Sequence, residues 1–69
     1  MADLPLAAVA RIAKNNGAER VGADATQALV EHAENYLAKL VKEANKLSIH
    51  AGRKTLKAED IEMAAEKFA

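Results

Sequence analysis

The feature that most constrains this chain is a long segment, Ala23 to His50, that contains no proline and no glycine. Its apolar residues recur at helical spacing and fall within about 140° of a helical wheel, with polar residues opposite. The apolar residues are Leu29, Val30, Ala33, Tyr36, Leu37, Leu40, Val41, Ala44 and Leu47. This pattern predicts one continuous amphipathic helix.

The predicted helix is too long for a globule of this size. About 28 residues make a helix about 42 Å long, whereas a compact 69-residue monomer is about 28 Å across. Hydrophobic residues make up 51% of the chain, but nearly half of them are alanine, so large core side chains are few. We therefore expect a second copy to cover the helix, in an intertwined dimer whose long helices cross near Tyr36–Leu40.

Short helices are predicted on both sides of the long one. The first spans about Pro5 to Asn16, with Gly17 as a left-handed cap. Gly22 or Asp24 begins the long helix, and Gly52 ends it. The third helix carries acids in its first turn and one apolar face; these residues are Glu59 and Asp60, then Ile61, Ala65 and Phe68. The whole chain, 1–69, is predicted to be a single all-α domain without tails.

Several classes of protein are excluded by what the sequence lacks. There is no cysteine, no metal-ligand spacing around His32 or His50, and no catalytic base near the hydroxyls of Thr26, Ser48 and Thr55. We therefore expect neither an enzyme nor a bound metal or cofactor. No apolar run is long enough to span a membrane, and Met1–Pro5 does not resemble a signal peptide.

Ten basic residues balance ten acidic ones, but the two signs are segregated. The segment 51–57 is basic without an acid, the first helix is basic after Asp3, and the first loop adds a cation. The basic residues of these segments are Arg11, Lys14, Arg20, Arg53, Lys54 and Lys57. In an antiparallel dimer they would form spaced patches for the phosphates of a bent duplex. The alternative is that they only solvate the loops.

Three stretches of the sequence resemble one family. The twelve residues His50–Ile61 strongly resemble the second-loop signature of archaeal histones, and Leu4–Ala7 and Gly17–Val21 resemble the same family. The resemblance runs along the whole chain. It implies the three-helix histone fold, in handshake dimers that bind double-stranded DNA, on the chromosome in an archaeal cytoplasm.

The resemblance also implies roles for particular residues in DNA binding. Arg20 matches an arginine that enters the minor groove, and Arg11 matches one that faces DNA near the dimer axis, where Lys14 also lies. Lys54, Thr55 and Lys57 match second-loop contacts to phosphate, which do not read base edges. Arg53 matches the partner of Asp60 in an intrachain brace, and direct contact of Arg53 with DNA is the alternative. Thr55 has the alternative of serving only a loop–loop pairing.

Further positions resemble surfaces of assembly. Leu47, His50 and Asp60 match the surface where dimers meet in a four-helix bundle to form tetramers. Gly17 matches a small residue that lets successive turns of a superhelix stack, although it is equally well explained as a helix cap.

The chain also departs from the family. Its exterior is more acidic than is usual, and Ile49 stands where a basic residue is common. Ile49 either widens the dimer–dimer contact or weakens stacking between turns. The sequence therefore favours a DNA-compacting histone. The alternative is a histone-fold interaction module: a heterodimer subunit with a paralogue, or a capping dimer that limits filament growth.

Overall fold

The computed structural model describes residues 3–69 and contains three α-helices. These are α1 (Leu6–Asn15), α2 (Ala23–His50) and α3 (Ala58–Lys67). No β-strand occurs within residues 3–69. Met1 and Ala2, with which the predicted single domain and the segment unlike a signal peptide begin, lie outside the described residues. The short–long–short order predicted from the sequence is confirmed, and α2 has the predicted bounds.

Helix α1 is one residue shorter at each end than predicted. Pro5 has an extended backbone, with φ −65° and ψ 125°, so it precedes the helix as its N-cap. The chain leaves α1 through Gly17, whose φ of +109° lies in the region that favours glycine. The N–H of Gly17 donates to Lys14 O at 3.2 Å, and that of Ala18 donates to Ala13 O at 3.1 Å. This is the bonding pattern of a Schellman motif.

The described residues pack as two units, each built on one half of α2, and the first comprises residues 3–35. Val30 is its fully buried apolar side chain, and Thr26 is buried with its hydroxyl donating to Gly22 O at 3.1 Å. The carboxylate of Glu34 accepts hydrogen bonds from the backbone N–H groups of Leu4, at 2.9 Å, and Asp3. These bonds hold the pKa of Glu34 below its ordinary value and tie the segment before α1 to α2.

The second unit, Tyr36–Ala69, holds a core made by α2 and α3. Leu40, Ala44 and Ala64 are buried at its centre, with half-buried residues around them: Leu47, Ile61, Ala65 and Phe68. The three residues of the predicted apolar face of α3 thus do pack inward.

Aromatic and charged contacts fasten the end of α3 in the second unit. The rings of Tyr36 and Phe68 meet edge to face with centroids 6.4 Å apart, and the Lys39 ammonium lies 5.2 Å from the Phe68 centroid. Lys67 forms an ion pair with Glu43 at 3.0 Å, which lowers the pKa of Glu43.

Each unit leaves large apolar side chains exposed. In the first unit these are Leu6, Ile12 and Leu29, and in the second Tyr36, Leu37, Val41, Ile49, Leu56 and Met63. The buried apolar residues are only Val30, Leu40, Ala44 and Ala64, and two of these are alanine. A fully buried large side chain contributes about 1.5–3 kcal/mol, so this core is small for the chain that it must order.

Candidate nucleic-acid interface

The second loop, residues 51–57, starts from a fixed turn at the end of α2. Gly52 has a φ of +78°. Its N–H donates to Ile49 O at 2.9 Å, and the N–H of Arg53 donates to Ser48 O at 3.0 Å. These two bonds form a second Schellman motif, which reverses the chain into the loop.

The guanidinium of Arg53 is occupied within the chain. Its Nη1 and Nη2 donate to the two carboxylate oxygens of Asp60 at 2.9 and 2.8 Å, a bidentate pair. Nη1 also donates to Thr55 O at 3.1 Å, and Glu59 lies 3.5 Å from Nη2. Arg53 therefore joins the loop to the first turn of α3, and its planar donor edge faces the protein.

Asp60 is held from two sides. Besides the Arg53 pair, its Oδ2 accepts the Lys57 N–H at 2.9 Å, and its own N–H donates to Lys57 O at 3.0 Å. The side chain of Asp60 is only 4% exposed. The hydrogen bonds from Arg53 and then from Lys57 hold the pKa of Asp60 below its ordinary value, and Asp60 in turn raises the pKa of Arg53.

A further loop contact comes from α2. The Oγ of Ser48 lies 3.1 Å from Thr55 O and 3.3 Å from Arg53 O, with Ser48 as the donor, and the residue is 1% exposed. From the sequence, this hydroxyl is considered only as a nucleophile without a base. Its place four residues before Gly52, the predicted end of α2, is the signal that could have found its role, because there a side chain can turn toward the following loop.

The remaining polar side chains of the second loop face solvent. Lys54, Thr55 and Lys57 are exposed, whereas Arg53 is half-buried. Within residues 3–69, neither Lys54 nor Lys57 lies in an ion pair with a carboxylate. The contacts of Arg53, Asp60 and Ser48 therefore fix the loop backbone while two ammonium groups remain available for an anion.

The first unit presents its own cations. Arg11 and Lys14 lie on α1 and Arg20 lies in the loop before α2, and all three are exposed. None of them pairs with a carboxylate within the part of the chain that the structure describes. Gly17 is exposed, and a Cβ added to it would meet no atom within 4 Å, so backbone conformation alone accounts for glycine in this monomer.

The four residues predicted at a dimer–dimer surface have different surroundings. Leu47 is half-buried against the core of the second unit, whereas His50 is exposed and Ile49 is 64% exposed. The carboxylate of Asp60 faces Arg53 and the backbone of Lys57. Asp60 can thus act on such a surface through the loop that it shapes more readily than by direct contact.

Two other kinds of site do not occur in the described residues. No group of three or more His, Asp or Glu side chains within residues 3–69 is arranged to hold a metal ion. No helix in this described part of the chain is both long and apolar enough to cross a membrane.

Comparison with known sequences gives consistent matches. The family described as histone-like transcription factor (CBF/NF-Y) and archaeal histone matches residues 2–65. The archaeal histone HAN1 subunit from Thermococcus zilligii is 47% identical over 96% of this chain and 98% of its own length. Probable archaeal histone 3 from Methanocaldococcus jannaschii is 39% identical over 93% of this chain and 96% of its own length.

The Asp60 contacts predict a defined response to acid. Because the pKa of Asp60 is lowered from 3.8, its contribution to stability is fully present above that pH. It is lost as the pH falls through the folded-state value. The Asp60→Asn variant should therefore melt several degrees lower at neutral pH, and the gap to the wild type should narrow below about pH 3.8.

Circular dichroism melts between about pH 2 and pH 7, at one protein concentration, measure this difference. Glu59→Gln is the control, because it removes only the longer and exposed contact to Arg53 and should melt close to the wild type. Parallel curves for the wild type and Asp60→Asn over the acid range would contradict the assignment.

Proposed function

Because this chain belongs to the family of histone-like transcription factors (CBF/NF-Y) and archaeal histones, we propose that it dimerises, assembles further on duplex DNA, and bends, wraps and compacts that DNA without sequence specificity. The family is one of DNA-binding, chromosome-associated packaging proteins rather than enzymes, and its members dimerise. The histone fold and the DNA-binding function expected from the sequence are thereby confirmed. The mode of wrapping, the order of assembly and the residues involved belong to the proposal.

One observation carries the proposed mode of binding: the second loop is braced internally while its lysines stay exposed. A fixed backbone presents Lys54 and Lys57 at little cost in conformational entropy, and such cations bind phosphates rather than base edges. We assign Thr55 to the same phosphate contacts. Arg53 serves mainly as the brace, because each of its contacts is made within the chain.

The first unit supplies the other proposed contacts, from Arg11, Lys14 and Arg20. In the proposed handshake dimer, the first loop of one chain lies beside the second loop of its partner. Arg20 would then join the lysines of the partner's second loop in one patch, and the two copies of Arg11 would lie near the dimer axis. Arginine in a narrowed minor groove senses the shape and deformability of DNA.

Dimerisation is supported by the apolar side chains that one chain leaves exposed on α2. Tyr36, Leu37 and Val41 are each between 43% and 45% exposed, in the segment where the helices are predicted to cross. Burying them against a second copy would enlarge a core that otherwise has four buried apolar residues. We further propose that residues 1–69 act as one histone-fold domain in that dimer, on the chromosome in the cytoplasm.

For larger assemblies we retain Leu47, Ile49 and His50 as a surface between dimers, with Asp60 acting through the second loop, and Gly17 as a position for stacking between turns. A second function is favoured by Ile49, which is exposed at 64% in a chain of zero net charge. An apolar residue there suits a histone-fold interaction module, either a heterodimer subunit with a paralogue or a capping dimer. The relative from Thermococcus zilligii is likewise named as a subunit.

The DNA contacts predict a characteristic dependence on salt. Plotted against the logarithm of salt concentration, the logarithm of the binding constant should fall linearly and similarly for duplexes of different sequence. Arg20→Ala and Lys54→Ala should each weaken binding and make the slope shallower by about 0.9 for each phosphate that is no longer neutralised. Fluorescence anisotropy of labelled duplexes measures both quantities.

Lys42→Ala is the matched control, because Lys42 is an exposed lysine on the polar side of α2, outside the proposed interface. It should leave the slope unchanged. Binding by the wild type that is insensitive to salt, or equal slopes for all three variants, would contradict the proposed interface.

The dimer is tested by placing a charge on the exposed apolar side of α2. Leu37→Glu should abolish the dimer or unfold the chain, because the proposed interface would bury an unpaired carboxylate. Ala38→Glu places the same charge one residue further, on the polar side of the helix, and should leave the dimer intact. Sedimentation equilibrium without DNA, and melting temperature against protein concentration, give the readouts.

The wild type and Ala38→Glu should show twice the 7.4 kDa mass of one chain and melt higher as concentration rises. A folded wild-type monomer with a melting temperature independent of concentration would refute dimerisation.

A further inference from the structure

We infer that Ser48 is a positioning residue for DNA binding: its buried hydroxyl fixes the second loop so that Lys54 faces the phosphate backbone. The inference rests on the proposed function, since it concerns the same loop. It assigns a role to a residue on α2 that has almost no exposed surface of its own.

The first observation is the geometry of the Ser48 hydroxyl. It lies 3.3 Å from Arg53 O and 3.1 Å from Thr55 O, the carbonyls on either side of residue 54. A serine hydroxyl has one proton, which it can donate to either carbonyl or share between both. Both carbonyls are thereby drawn toward α2, and the peptide path around Lys54 is held on each side.

The second observation is that Ser48 acts at the point where the chain leaves the helix. Its backbone carbonyl accepts the Arg53 N–H at 3.0 Å, so backbone and side chain of one residue both bind the loop. Ser48 is 1% exposed. A buried hydroxyl without a partner is costly, and these carbonyls satisfy it.

The third observation separates Ser48 from the Arg53–Asp60 pair. Thr55 O accepts from both Ser48 and the Arg53 guanidinium, whereas Arg53 O accepts from Ser48. The ion pair alone ties the loop to α3, and the serine ties it to α2. Without the serine, the Arg53 carbonyl next to Lys54 loses its tie to α2.

The main test replaces the hydroxyl by hydrogen. Ser48→Ala keeps nearly the same volume and has higher helix propensity, so α2 itself is not weakened. We expect DNA affinity to fall about two- to tenfold, as for the removal of one hydrogen bond, with a salt slope shallower by up to about 0.9. Amide hydrogen exchange at Lys54 and Leu56 should become faster than in the wild type.

A double variant distinguishes positioning from a general loss of stability. If Ser48 acts through Lys54, then Ser48→Ala combined with Lys54→Ala should bind DNA no more weakly than Lys54→Ala alone. Thr26→Ala is the matched control: it removes another buried hydroxyl from α2, but Gly22 O keeps the Thr26 N–H at 3.0 Å. This control should leave the salt slope unchanged.

The outcomes separate the two proposals. A wild type that does not bind DNA overturns the proposed function. A wild type that binds DNA, with Ser48→Ala equal to it in affinity and slope, overturns only the role of Ser48, as does full additivity in the double variant. If Ser48→Ala does not fold, Ser48→Cys carries the same test, because a thiol of similar size is a weak donor. It should give a smaller loss of affinity in the same direction, and binding equal to the wild type would overturn the inference.

Discussion

The second loop of this chain depends on the ion pair between Arg53 and Asp60. A bidentate contact fixes the guanidinium in one plane, and the same carboxylate also accepts the Lys57 N–H at the start of α3. Such a pair would be of little value in open solvent, but Asp60 is almost completely shielded. The loop is therefore a defined part of the fold, and its lysines are attached to a backbone whose conformation is set before any ligand arrives.

The division of roles among the cations follows from this arrangement. One basic side chain of the loop is used inside the chain, and the exposed lysines remain for an external anion. A chain of zero net charge has no long-range attraction for DNA as a whole, so local placement of cations has to supply the binding. The exposed apolar side chains on α2 are the counterpart in the core: the features that one chain leaves incomplete are those that a handshake dimer would complete.

The sequence predicted the helices well because their signals are local. A segment without proline or glycine gave α2 its bounds, and Gly17 and Gly52 marked the two helix ends that need a positive φ. The pairing of Arg53 with Asp60 came from the resemblance, since spacing alone does not show which carboxylate an arginine reaches. The contacts of Ser48 and Glu34 were not predicted from the sequence. Each binds backbone groups of a non-helical segment, and helical periodicity says nothing about the path of such a segment.

The central claim is that intrachain contacts form the second loop before DNA binds. Amide hydrogen exchange of the protein, alone and bound to a duplex, tests it most directly at the Arg53 and Lys57 N–H groups, which donate to Ser48 O and to Asp60. The account predicts that both amides are already protected in the free protein and change little on binding. Unprotected amides in the free protein that become protected only on DNA would contradict it.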